Sequence, residues 1–95
     1  MPTPLSLTSV VQLSGDHIAA PVDDEMVVLS IERGSYYGLD DIGSEIWRRL
    51  ATPIRVDVLC DGLAEKYEAD RATIERDVIS LLERLVSEGL VSLTT

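Results

Sequence analysis

The chain has 95 residues, with 17 acidic against 8 basic side chains and a formal net charge of −9. That balance argues against nucleic acid, whose binding depends on clustered Lys and Arg neutralising phosphates, and against an anionic membrane surface. The length, and 45% apolar content without any Phe, fit one domain over residues 1–95 with a modest core of Leu, Ile and Val.

Residues 1 to 8 carry Pro2 and Pro4 and little pattern, and read as a loose arm. Val10, Val11 and Leu13 suggest a short strand that ends at Ser14-Gly15-Asp16. A second strand, His17 to Val22, is confined by Pro21 to an edge or to its own end. Either piece can pair with the hairpin that follows. In that hairpin Val27, Leu29 and Ile31 alternate with Val28, Ser30 and Glu32, the period of a half-buried strand. Arg33-Gly34 supplies the turn, and Ser35 to Leu39 returns as a short aromatic strand.

Asp40 or Asp41 caps a first helix over Ile42 to Leu50, with Ile42, Ile46, Trp47 and Leu50 on one face. Ala51-Thr52-Pro53 ends it. A second helix, Val56 to Glu68, has its stripe at Val56, Leu59, Cys60, Leu63 and Tyr67, and Gly62 within it suits the close approach of another element. Asp70 caps a third helix, Arg71 to Glu88, with Ile74, Val78, Leu81, Leu82 and Leu85 buried. Gly89 ends that helix, and Leu90 to Leu93 forms a last short strand or a packed tail. The expected class is α+β: a three-stranded antiparallel sheet followed by three helices, winged helix-turn-helix-like in its second half.

Chemistry-bearing groups are sparse. Cys60 falls in the apolar stripe of the second helix and reads as a buried thiol. His17 lies in a polar turn and reads as a surface histidine rather than a relay member, and no Gly-rich phosphate loop or Cys-x-x-Cys occurs. The acid pairs Asp23-Asp24-Glu25 and Asp40-Asp41 lack the alternating spacing of a calcium loop. No catalytic residue, metal site or cofactor is expected. With no apolar run of membrane-spanning length, the expectation is a cytoplasmic protein. A winged-helix DNA-binding or regulatory module is the alternative, although the third helix carries more acids than bases.

Binding is what remains. Ser35-Tyr36-Tyr37-Gly38-Leu39 contains none of the charges or prolines that normally blunt a sheet edge. If the third helix lies beside that edge, the two form a groove in which an extended peptide can add as a strand. The same residues also fit an ordinary hairpin, with Tyr36 and Tyr37 as plain core and surface residues.

The run Val28 to Trp47 resembles the signature of PqqD-like proteins: an apolar strand, an acidic-basic-Gly turn, Tyr-x-x-Leu, an Asp cap, one apolar residue and Gly, then Ile-Trp. Leu63-Ala64-Glu65-Lys66-Tyr67 is similar to the end of that family's second helix, and Asp77-Val78, Leu81-Leu82, Leu85 and Gly89-Leu90 to its third helix and exit. The resemblance spans residues 10 to 91. It implies a peptide-recognition element that binds the leader region of a ribosomally synthesised precursor peptide. The Tyr-Tyr-Gly-Leu form looks like the stand-alone recognition protein of lasso-peptide pathways. There the implied partners are a cysteine-type leader peptidase and an ATP-dependent macrocyclase. Carried over by resemblance, backbone contacts fall on Ser35, Tyr36, Tyr37, Gly38 and Leu39, and the far wall comes from Ile74, Asp77, Val78 and Leu81. Arg55 stands where many relatives have a capping Ser or Thr.

Overall fold

A computed structural model describes residues 5–23 and 25–93. In chain order the elements are β1 (Val10–Leu13), β2 (His17–Val22), β3 (Glu25–Ser30), β4 (Ser35–Leu39), α1 (Asp41–Arg49), β5 (Ile54–Arg55), α2 (Val56–Tyr67), α3 (Arg71–Ser87) and β6 (Val91–Leu93). The expected three-stranded antiparallel sheet is present, in the order β2-β3-β4, and the class is α+β. A second antiparallel sheet was not expected: β1 lies between β5 and β6, so it pairs with neither strand of the hairpin. Among the described residues no helix is long and apolar enough to cross a membrane.

Three local features differ from the sequence expectation or settle what it left open. The β3–β4 turn spans residues 31–34 rather than Arg33-Gly34 alone. Gly34 sits at φ +67 and donates its N–H to Ser30 O at 2.8 Å, a wider loop that leaves Ile31 outside the strand. The buried phase of β3 is Met26, Val28 and Ser30, while Leu29 and Ile31 face outward. Both phases of β3 are rich in apolar residues, so alternation alone does not choose between them.

The third correction concerns residues 5–8, which are held in place rather than loose. Val56 N–H donates to Ser9 O at 2.9 Å and Asp57 N–H to Leu7 O at 2.8 Å. These carbonyls satisfy free amides at the start of α2, where Arg55 makes no side-chain cap and pairs with Asp57 instead. The remainder of the expected arm, residues 1–4, lies outside the described residues.

The other helix ends follow their local chemistry. Asp40 caps α1 by accepting from Gly43 N at 2.7 Å, and Asp70 caps α3 by accepting from Thr73 N at 3.2 Å. Gly89, at φ +78, ends α3 and lets Leu90 N–H return to Leu85 O at 2.9 Å. Val28 on the inner sheet face packs in one core with Trp47, Leu59, Leu63, Val78 and Leu82. Gly62 behaves as its place in α2 suggested: the Arg49 guanidinium rests where a Cβ would project.

Candidate functional site

β4 is an outer strand of its sheet, paired among the described residues with β3 alone. The phase of its free edge follows from its neighbours. Ile31 N–H donates to Asp16 O, on the β2 side, at 3.1 Å. Main-chain bonding alternates along a strand, so Leu29 and Val27 also bond toward β2, and Val28 and Ser30 bond toward β4. Tyr37, opposite Val28, and Ser35, opposite Ser30, therefore spend their main-chain groups on β3. Tyr36 and Gly38 direct theirs to the open edge. Pro21 agrees with this phase: opposite Met26, it lies where β2 needs no donor toward β3.

Facing this edge is one stripe of α3. Asp77, Leu81 and Arg84 line a cavity of about 240 Å³ together with Gly38, Leu39, Asp40, Ile42, Gly43 and Ile46. Its floor is the start of α1. A Cβ on Gly43 would lie 3.1 Å from Asp40 Oδ1, a tight contact, and in ordinary contact with Leu81 Cδ2 at 3.6 Å, so glycine there eases the fit of the Asp40 cap.

The end of the groove near the turn is fastened by side chains. Tyr37 donates its hydroxyl proton to Glu88 Oε2 at 2.6 Å, and this bond to a carboxylate pushes the phenol above its ordinary pKa. Arg33 approaches Glu88 at 3.7 Å and donates to Ser87 O at 3.3 Å. The Arg84 guanidinium lies over the Tyr37 ring, 5.8 Å from its centroid. Charge is divided along the groove, with Asp40 and Asp77 toward the Leu39 end and Arg84 toward the Tyr37 end.

Of the residues singled out from sequence, Gly38, Leu39, Asp77 and Leu81 line the cavity. Ser35 and Tyr36 are exposed on β4, and Tyr37 is half-buried against Glu88. Ile74 and Val78, at 6% and 1% exposure, are core residues and do not line it. The stripe that faces β4 is rotated one step around α3, through Asp77, Leu81, Arg84 and Glu88. Arg84 was therefore missed as a wall residue, although its spacing of seven from Asp77 and three from Leu81 puts it on their face. The α1 floor was missed because a helix start reads as a cap before it reads as a surface. Among the described residues no three or more His, Cys, Asp or Glu are grouped to hold a metal ion.

The family described as coenzyme PQQ synthesis protein D (PqqD) matches residues 25–91. The chain belongs to the PqqD family. Among solved structures, TbiB1 in complex with the TbiA(beta) leader peptide is 36% identical, with a TM-score of 0.78 over 85% of this chain and 94% of that one. A lasso peptide synthetase B1 complexed with its leader peptide is 28% identical, with a TM-score of 0.70 over 86% and 96%. The PqqD truncation of Methylobacterium extorquens PqqCD, a stand-alone RiPP recognition element, shares the fold at a TM-score of 0.79 and 24% identity, over 96% and 97%. A curated relative, the PqqA binding protein of Rhodopseudomonas palustris, is 38% identical over 66 residues. That match takes in 70% of this chain and 63% of the relative, so less than two thirds of the relative's length is spanned.

Proposed function

We propose that this PqqD-family chain binds the leader region of a ribosomally synthesised precursor peptide and has no catalytic step of its own. The leader adds as a strand to the free edge of β4, bonding Tyr36 and Gly38, and packs its inward side chains against Asp77, Leu81 and Arg84. In this reading the domain holds the leader for a cysteine-type leader peptidase and an ATP-dependent macrocyclase of lasso-peptide maturation, in the cytoplasm where the precursor is made. The observation that carries the proposal is the open edge beside the α3 stripe, with a cavity between them. The similarity to TbiB1, solved with a leader peptide, supports it. So does the environment of Cys60, which is fully buried and whose thiol burial pushes up, away from nucleophilic use. The winged-helix DNA-binding or regulatory alternative has no observation in its favour, since the groove-facing stripe of α3 carries the acids Asp77 and Glu88 against the single base Arg84.

A labelled leader from a precursor encoded beside this gene should raise fluorescence anisotropy on titration with the protein. Tyr36→Pro, which deletes an outward amide, should weaken that binding roughly tenfold or more, whereas Tyr36→Phe should leave it nearly unchanged. Equal affinities for the two variants would move the site away from β4.

A further inference from the structure

Arg84 stands apart from the other cations of this acidic chain. Every other Lys and Arg makes an ion pair, whereas Arg84 makes none among the described residues. Its natural intrahelical partner is Glu88, four positions on, and Glu88 is occupied by the Tyr37 hydroxyl and Arg33. The guanidinium lies instead over the Tyr37 ring, at the rim of the cavity beside β4. A position in the last turn of α3 accounts for a cation as such, because the helix dipole favours one there. It does not account for a cation held over a ring in the groove while acids outnumber bases twofold across the chain.

We propose that Arg84 is a specificity residue that selects peptides carrying an Asp or Glu side chain at one defined position. The proposal rests on the peptide-binding reading of β4 and sharpens it. Leu81, one turn earlier on the same stripe, offers the apolar contact, and from Leu81 to Arg84 α3 advances about 4.5 Å. Successive side chains on one face of a strand are about 6.6 Å apart, and the long Arg side chain covers the difference. The acid therefore falls two positions from the apolar anchor, on the side nearer Tyr37. Asp77 at the other end repels a carboxylate, so the peptide's charge also fixes its register along the groove.

The test pans a display library of random short peptides against the wild-type protein, Arg84→Glu and Tyr36→Pro. Peptides enriched by the wild type should carry Asp or Glu two positions from an apolar residue, and Arg84→Glu should enrich Lys or Arg there instead. For one enriched peptide, Arg84→Gln in the protein and Glu→Gln in the peptide should each weaken binding roughly tenfold. The double change should cost little more than either alone. Arg84 is exposed and its side chain makes no hydrogen bond or ion pair among the described residues, so circular dichroism of its variants should match the wild type. Enriched peptides with no acidic preference, or an Arg84→Glu profile like that of the wild type, would overturn the role of Arg84 and leave peptide binding standing. Absence of enrichment, or enrichment that survives Tyr36→Pro, would overturn the β4 reading itself and this inference with it.

Discussion

Glu45 shows how much a single carboxylate organises away from the groove. It lies on α1, accepts from Lys66 of α2 at 2.9 Å and from Arg49 at 2.8 Å, and its side chain is only 12% exposed. The Lys66 bond and then the Arg49 bond hold its carboxyl below the usual glutamate range, against the opposing effect of burial. A depressed folded-state pKa stabilises the protein above the unfolded pKa, and that contribution fades as pH falls through the folded value. Glu45→Gln should therefore lose about 1 kcal/mol near neutral pH, a modest figure because its cationic partners are half-exposed. In urea denaturation the gap between variant and wild type should close as pH falls below the glutamate range; a gap independent of pH would sink this account. The Glu45–Arg49 spacing is readable in sequence, but the cross-helix reach of Lys66 is not. Arg84 is a similar case, since what sets it apart is that it makes no ion pair among the described residues, and ion pairs are a property of the fold.

The α1 start is the element on which groove and stability meet. Asp40 both caps the helix and lines the cavity, and the Ser44 hydroxyl beside it donates to Leu39 O at 3.0 Å while accepting from Met26 N at 2.7 Å. One helical turn thus fixes the end of β4 and the start of β3. Asp40→Ala should lower stability by about 1 kcal/mol, measured by thermal melting, and should also weaken peptide binding by letting the groove floor move. Full stability with lost binding would instead make Asp40 a direct peptide contact. The cap, the helix limits to within a residue or two, and the β4 strand were legible because each has a local signal. The β5-β1-β6 sheet was not, because β5 is two residues long and its pairing partners are distant in sequence. The choice of Met26, Val28 and Ser30 as the inner face of β3 was equally hidden. Buried Ser30 is tolerated because its Oγ accepts from Arg33 N at 3.3 Å within the turn.

At the scale of the molecule, the family match and the fold have different limits. The match begins at residue 25, yet β1 is the strand that joins β5 to β6, Val11 is fully buried, and Leu7 and Ser9 complete the start of α2. A fragment of residues 25–91 also lacks β2, which leaves β3 unpaired on one side. Such a fragment should lose the cooperative thermal transition of the full chain when followed by circular dichroism. An unchanged midpoint would show that the N-terminal strands are ornamental.

The two edges of the β2-β3-β4 sheet are not equivalent: β4 is open, while the outward phase of β2 carries Pro21. In the language of polymer growth, the domain is monofunctional. A strand that joins at β4 meets a three-stranded sheet whose far side does not readily accept another, so pairing stops after one addition. On the proposed reading the domain acts as a chain stopper, taking up one peptide at β4 and not handing a growing sheet on to a second copy of itself.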